Sequence, residues 1–224
     1  MAEVKQYTFS AGVTAQKREA MKSNAPADQM LYVQYGCAAC APEGWLNFDV
    51  SLRVRLGIRG GVFPRNVRYG DIVRGLPVKD GTAKAVYASH VLEHLTREDF
   101  DTALLNTYRI LMDGGTFRLI VPDLEIIAGR YVEKVRSGQT DANDWFMTTI
   151  CVRNRRTLVG WLEDFIGHGR HEWMWDFPST RCALERCGFR NIRRCEYGDN
   201  PDPMFTLVEE KDRFVWSVSI ECQK

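Results

Sequence analysis

The stretch AKAVYASHVLEHLTREDFDTALLNTYRILMDGGTFRLIVPD, residues 83–123, decides the fold. It begins and ends with short, mostly apolar runs that are typical of buried strands. Between these runs, apolar side chains recur at helical spacing over residues 96–112, with Thr96 as the predicted N-cap and Gly114-Gly115 as the predicted end. A strand, a helix and a second strand in this order predict one unit of a parallel α/β sheet.

Further strand candidates lie on both sides of this unit. The seven predicted strands cover residues 30–33, 45–49, 66–69, 83–88, 116–121, 190–197 and 213–222. The last of them alternates apolar and polar side chains, and a helix predicted over residues 179–187, ended by Gly188, precedes the final pair. We therefore predict an α/β fold with a mostly parallel sheet.

The length of 224 residues suits one α/β domain with a single core. Residues 1–28 are polar and predict an N-terminal arm, whereas residues 29–224 predict a single domain. Within this domain, residues 124–177 are rich in Trp and Arg and predict a helical insertion that shapes a substrate site. The sequence leaves the oligomeric state open, and it is compatible with a homo-oligomer.

Composition argues against several classes of protein. A formal net charge of +1 disfavours general binding to nucleic acid. The chain has neither an apolar run long enough for a membrane span nor an N-terminal signal peptide, so we expect a cytoplasmic protein with no membrane partner. Seven cysteines, an odd number, argue against a disulfide framework, and the Cys37–Cys40 pair lacks the second close pair of a zinc site.

Arginine is concentrated in two clusters. They are Arg153, Arg155 and Arg156, and then Arg190, Arg193 and Arg194. Either cluster could be a solvated surface or the rim of a site that receives an anionic substrate, because arginine binds carboxylates and phosphates well.

Several residues follow directly after predicted strands. They are Gly36, Cys37, Asp49, Asp71, Ser89, His90, Pro122 and Asp123. Parallel α/β sheets bind their ligands at the carboxyl ends of the strands, so we expect these residues to form the ligand site.

Four motifs follow one another within residues 70–124. They are Gly70-Asp71 with Leu76-Pro77, Ser89-His90-Val91-Leu92-Glu93-His94-Leu95, Tyr108-Arg109-Ile110-Leu111 with Gly114-Gly115, and Val121-Pro122-Asp123-Leu124. This succession resembles the class I, S-adenosylmethionine-dependent methyltransferases of the type 11 kind. The resemblance extends over residues 30–222 and implies a Rossmann-like α/β fold, with a seven-stranded, mostly parallel sheet, helices on both faces and an antiparallel last strand. It implies transfer of a methyl group from S-adenosylmethionine to an oxygen or nitrogen of a small-molecule or glycan-type acceptor, anionic acceptors included.

The resemblance also implies which residues bind the cofactor: Gly36, Cys37, Asp49, Asp71, Ile72, Ser89 and His90. Asp49 would accept hydrogen bonds from the ribose hydroxyls, and Asp71 with the backbone of Ile72 would bind the adenine edge. The alternatives are a helix cap or a surface acid for Asp49, and a turn aspartate for Asp71.

A neutral hydroxyl acceptor would need a general base, and the catalytic candidates are His90, Asp123 and His171. His90 and His94 are spaced i, i+4 around Glu93, as in some zinc sites, but no third ligand is evident, so we predict no metal. Other side chains that could flank the acceptor, or belong to the core, are His168, Trp161, Trp173 and Trp175.

The first motif departs from the family pattern. Gln34 stands where the family often has an acid, and Ala38 replaces a glycine. The segment from Gly36 to Asp49 also leaves little room for a helix. These departures favour a second hypothesis, a degenerate methyltransferase fold that binds a ligand or partner without turnover. An NAD-dependent Rossmann enzyme is excluded, because no GxGxxG motif follows the first strand.

Overall fold

A computed structural model describes residues 31–58, 63–151 and 171–224 of the chain. The predicted N-terminal arm, residues 152–170 of the predicted insertion, and the candidates Arg153, Arg155, Arg156, Trp161 and His168 lie outside the described residues.

The core of the molecule is a seven-stranded sheet with the order β3-β2-β1-β4-β5-β7-β6. Its strands are β1 (Leu31–Tyr35), β2 (Trp45–Asp49), β3 (Val67–Tyr69), β4 (Ala83–Ser89), β5 (Leu111–Pro122), β6 (Arg190–Arg194) and β7 (Ser217–Gln223). Strands β1 to β5 pair in parallel, and β7 runs antiparallel to both β5 and β6. The predicted mostly parallel sheet with an antiparallel last strand is confirmed.

Five α-helices connect the strands in the described residues. They are α1 (Leu52–Arg55), α2 (Arg97–Ile110), α3 (Leu124–Arg136), α4 (Ala142–Ile150) and α5 (Phe177–Arg186). Short 3₁₀ helices cover Leu92–His94, Pro203–Leu207 and Lys211–Phe214. None of the helices that the structure describes combines the length and apolar character needed to cross a membrane.

The two faces of the sheet have different cores, because successive side chains of a strand point to opposite faces. In β4, Val86 belongs to the large core that also contains Phe100 of α2 and Leu184 of α5. The neighbouring Tyr87 points the other way and packs with Phe205 of a 3₁₀ helix. An irregular segment therefore covers one face of the central strands beside the ligand edge of the sheet.

Helix α2 begins as predicted, since the Thr96 side chain accepts a hydrogen bond from the backbone N–H of Asp99. Its predicted glycine end is wrong, because the helix stops at Ile110. The backbone N–H groups of Gly81 and Thr82 donate to the carbonyls of Arg109 and Ile110, each at 3.0 Å. A neighbouring loop thus caps the helix, and the chain enters β5 at once.

The last two strands are shorter than predicted. Strand β6 ends at Arg194, and β7 begins at Ser217. Residues 211–214 form a 3₁₀ helix instead, and Trp216 has a φ of +57°, which an extended strand does not accommodate.

Arg118 of β5 is a buried cation, with 1% of its side chain exposed. It forms ion pairs with Asp199 at 2.8 Å, Glu209 at 2.9 Å and Glu221 at 2.9 Å. Partial burial would raise the pKa of Asp199, but hydrogen bonds from Arg193, the Glu196 N–H and Arg118 outweigh it and lower that pKa to about 2. These ion pairs connect the segment 196–209 to β5 and β7.

Two arginines of the second cluster form ion pairs, and Arg193 shares its acids with Arg118. Arg193 pairs with Asp199 at 2.6 Å and with Glu221 at 2.8 Å. Arg194 lies 3.6 Å from the carboxylate of Asp123 and stacks on Phe177. These two side chains are already paired, which disfavours their role as the rim of an anionic-substrate site.

Candidate functional site

A cavity of about 120 Å³ lies at the carboxyl ends of β1 and β4. Its lining consists of Gln34, Tyr35, Gly36, Cys37, Ala38, Cys40, Tyr87, Ser89, His90, Val208, Glu210 and Arg213. It lies where the strand-end rule places a ligand, and it brings together Gly36, Cys37, Ser89 and His90. Since ligand pockets usually enclose about 300–1,000 Å³, this cavity would hold one end of a cofactor-sized molecule.

The loop between β1 and β2, residues 36–44, contains no helix. Buried amides hold it in place: the Gln34 side chain donates to the carbonyl of Cys40 at 2.7 Å and to Asn47 Oδ1 at 2.5 Å. Asn47 in turn donates to the carbonyl of Pro42 at 3.1 Å. An ionised acid at position 34 could donate neither bond, so the short loop explains the departure at Gln34.

The second departure, Ala38, adopts a φ of +46°. This is the left-handed region, which costs an L-residue roughly 1–2 kcal/mol. The Ala38 N–H donates to the carboxylate of Asp49 at 3.0 Å, and this bond holds the strained conformation in place. Glycine at this position would adopt the same backbone without strain.

Ala38→Gly is therefore expected to leave the fold intact and to change the free energy of unfolding by less than about 1 kcal/mol, toward stabilisation. Relief of the left-handed strain offsets the roughly 0.4–1 kcal/mol that the greater entropy of glycine in the unfolded chain costs. Urea unfolding measures the difference. A loss well above this range would contradict the alignment of Ala38 with the family glycine.

Asp49 ends β2 and is 8% exposed. One of its carboxylate oxygens accepts from the N–H of Ala38, and the other from the N–H of Ser51 at 2.8 Å. Since a carboxylate oxygen can accept two hydrogen bonds, each retains capacity for a further donor. Asp49 thus supports the loops on both sides of it and keeps acceptor capacity at the carboxyl edge of the sheet.

Asp71 stabilises its own turn after β3, which was the alternative to a role in binding adenine. Its Oδ1 accepts from the N–H of Val73 at 3.0 Å, and its Oδ2 lies 3.3 Å from Arg74. The next residue, Ile72, is buried. Asp49, Asp71 and Ile72 follow neighbouring strands at the same edge of the sheet, beyond the residues that line the cavity.

His90 lines the cavity and has a φ of +55°. Its backbone N–H donates to the carbonyl of Ile120 at 2.8 Å. Its Nδ1 lies 3.3 Å from Glu93 Oε1, and its Nε2 lies 3.0 Å from the carbonyl of Arg213. Burial alone would lower the pKa of His90, but Glu93 and this carbonyl outweigh it and raise the pKa. Both ring nitrogens therefore face hydrogen-bond acceptors.

Other lining residues were missed by the sequence analysis. Among them is Tyr87, whose hydroxyl is buried, as is the hydroxyl of the predicted Ser89. Burial raises the pKa of Tyr87, and it raises the pKa of the Cys37 thiol to about 12. Tyr87 could have been found from the alternation within β4, whereas Glu210 and Arg213 lie at the 3₁₀ helix Lys211–Phe214, where the sequence predicted a loop and the start of a strand.

The other catalytic candidates do not line the cavity. Asp123 is the N-cap of α3, accepts from the N–H of Glu125 at 2.9 Å and is 1% exposed. His171 lies beside Glu93 and His94 instead. Burial lowers the pKa of His171, with Glu93 acting against this shift.

Trp173 and Trp175, which could either flank the acceptor or belong to the core, differ in their exposure to solvent. Trp175 is 1% exposed and stacks on Phe100 with ring centroids 3.8 Å apart, so it belongs to the core. Trp173 is 46% exposed.

A family model described as a methyltransferase domain matches residues 53–119, which include β3, β4 and α2. The resemblance to the methyltransferases is confirmed. No curated protein matches the chain.

Solved structures are similar to this chain at low sequence identity. A methyltransferase from Archaeoglobus fulgidus shares 15% identity, with 88% of this chain and 87% of that chain covered and a TM-score of 0.48. A Thermotoga maritima protein described as a possible histamine N-methyltransferase shares 17%, with 93% and 87% covered and a TM-score of 0.49. Human N-acetylserotonin methyltransferase, solved with S-adenosylmethionine, shares 15%, with 87% and 47% covered and a TM-score of 0.48.

Proposed function

We propose that residues 29–224 act as one S-adenosylmethionine-dependent methyltransferase domain, whose acceptor is an oxygen or nitrogen of a small-molecule or glycan-type compound. The observation that carries this proposal is the match of residues 53–119 to the methyltransferase domain family. The cavity at the ends of β1 and β4 supports it, because parallel α/β sheets bind ligands at this edge.

The cavity suits the methionyl end of the cofactor, which carries an ammonium group and a carboxylate. Glu210 and Arg213, 3.4 Å apart, offer opposite charges to such a zwitterion. The hydroxyls of Tyr87 and Ser89 add two polar groups to the lining. Gly36 turns the backbone at the cavity with a φ of +65°, and Val91 fills the space that a side chain on Gly36 would need.

The adenosine part would extend along the same edge toward β2 and β3. Asp49 would accept the ribose hydroxyls with its remaining acceptor capacity, so its bonds to Ala38 and Ser51 could persist. Asp71 and the backbone of Ile72 would meet the adenine edge, one strand further on.

When bound, S-adenosylmethionine would supply a methyl group on a sulfonium sulfur. The chain would align the acceptor with that methyl group and exclude water. An amine or an acidic hydroxyl would need little help with its proton, whereas a neutral hydroxyl would need a base. Among the candidates His90, Asp123 and His171, His90 is the one that lines the cavity.

Calorimetric titration of the whole chain with S-adenosylmethionine, and separately with S-adenosylhomocysteine, tests the proposal. We expect saturable binding of one equivalent of each. Absence of saturable binding at millimolar cofactor would reject the proposed methyltransferase activity. It would favour the alternative that the altered first motif suggests, a degenerate fold without turnover.

Asp49→Ala is expected to raise the dissociation constant for the cofactor about 10- to 100-fold, since a hydrogen bond to a charged group contributes about 1.5–3 kcal/mol. The same titration measures this change, with circular dichroism as a check on folding. Asp80→Ala is the matched control, because Asp80 is an exposed carboxylate that pairs only with Arg109 at 3.4 Å among the described residues. An affinity that stays unchanged in Asp49→Ala would reject the ribose role.

A further inference from the structure

Three of the chain's four histidines surround one buried acid, Glu93. Glu93 and His94 lie in the 3₁₀ helix that follows β4, and His171 comes from a segment far along the chain. The ligand atoms of Glu93, His94 and His171 all lie within 4.8 Å of one another. His90 also contacts Glu93, and it lines the cavity.

The backbone holds these two segments together. The N–H groups of Glu172 and Trp173 both donate to the carbonyl of Glu93, at 2.8 and 3.2 Å. The rings of His94 and His171 consequently lie close, with centroids 5.2 Å apart. The donor atoms are thus brought together by main-chain bonds that do not depend on their charge.

The Glu93 carboxylate is 1% exposed; its Oε2 has no hydrogen-bond partner within the described ranges, whereas its Oε1 faces ring nitrogens of His90 and His94. Its nearest polar neighbours are the His90 ring at 3.3 Å and the His94 ring at 3.9 Å. The Nδ1 atom of His171 is also buried without a partner among the described residues. A buried carboxylate oxygen and a buried ring nitrogen that lack partners are costly unless a ligand satisfies them.

We propose that Glu93, His94 and His171 bind a divalent transition-metal ion of the zinc class. Two imidazoles and one carboxylate are a donor set that zinc uses, and three protein ligands leave one position open to water or another molecule. Zinc ligands at about 2.0–2.2 Å lie roughly 3.4 Å from one another in a tetrahedron, so the donors need to close by up to about 1.4 Å. Rotations of the three side chains can supply this.

The proposed ion would lie next to the cavity. Glu93 links it to His90, which contacts both the carboxylate and the cavity. Second-shell groups of this kind orient metal ligands. The proposal does not depend on cofactor binding, because none of the three ligands lines the cavity.

The test uses the full chain, stripped with a chelator and titrated with Zn²⁺ alone, in competition with a chromophoric chelator. We expect one equivalent to bind. His171→Asn and Glu93→Gln are each expected to weaken binding more than about 100-fold, since even second-shell changes cost 10- to 100-fold. The matched control is the double variant Cys37→Ser with Cys40→Ser, which removes the competing thiols and should keep the affinity.

X-ray absorption of the zinc-loaded chain gives a second readout that does not depend on variants. We expect nitrogen and oxygen neighbours at about 2.0–2.2 Å and no sulfur near 2.3 Å. Absence of a bound equivalent, sulfur in the shell, or unchanged affinity in His171→Asn would overturn the proposal. If His171→Asn does not fold, Glu93→Gln and the absorption spectrum decide. All these measurements omit S-adenosylmethionine, so their failure would leave the methyltransferase proposal standing.

Discussion

Arg118→Met is expected to lower the free energy of unfolding by about 3–5 kcal/mol, the usual effect of removing one partner from a buried ion pair. Arg118 is the cation that Glu209, whose side chain is fully buried, contacts at 2.9 Å. Methionine fills a similar volume but leaves that carboxylate without a counter-charge. Urea unfolding followed by circular dichroism measures the loss.

Arg193→Met is the matched control for this effect. Arg193 pairs with Asp199 and Glu221, two of the acids that Arg118 contacts, but 43% of its side chain is exposed. Exposed pairs contribute about 0–1 kcal/mol, so this variant should be only slightly destabilised. Adding Glu209→Gln to Arg118→Met should recover part of the stability. Equal losses in the two arginine variants would show that burial of Arg118 is not what matters.

Gly36→Ala is expected to destabilise the chain by about 2–5 kcal/mol, because left-handed strain of roughly 1–2 kcal/mol adds to an overpacking cost of about 1–3 kcal/mol. A Cβ atom on Gly36 would overlap the Cγ2 methyl of Val91 and lie 3.1 Å from its Cγ1. The residue also lines the cavity, so we expect cofactor affinity to fall with stability. Urea unfolding and calorimetric titration measure the two effects.

Two further variants separate the causes of this loss. Gly81 has a φ of +69° and nothing within 4 Å of its would-be Cβ, so Gly81→Ala reports the left-handed strain alone. Combining Gly36→Ala with Val91→Ala removes the overlapping methyl and should recover the steric part, after allowance for the effect of Val91→Ala by itself. If Gly36→Ala lowers the free energy of unfolding no more than Gly81→Ala does, the close contact with Val91 does not constrain this turn.

Part of the candidate site could be predicted from the sequence. Gly36, Cys37, Ser89 and His90 were found because the carboxyl ends of parallel strands form the ligand edge, which needs only correct strand ends. Arg213 was missed, since the sequence predicted the start of a strand there, whereas the structure has a 3₁₀ helix that brings this side chain to the cavity. The same applies to the approach of His171 to Glu93, because a sequence spacing carries no signal for contacts between distant segments.

The sequence by itself determined the local elements and the class of fold. It placed β2 at Trp45–Asp49 and capped α2 with Thr96, because hydrophobic periodicity and capping are local properties of the chain. Gly70-Asp71 and the motifs after it were sufficient to indicate a resemblance to the methyltransferases, which the match over residues 53–119 bears out.

The tertiary structure decided what depends on distant neighbours. Helix α2 ends at Ile110 because a loop supplies the N–H groups that cap it, although glycines follow only a few residues later. Arg118 is buried because acids from later segments neutralise it, and His171 meets Glu93 because two backbone bonds hold their segments together. Each outcome rests on partners that the fold brings together, so no local pattern could have indicated it.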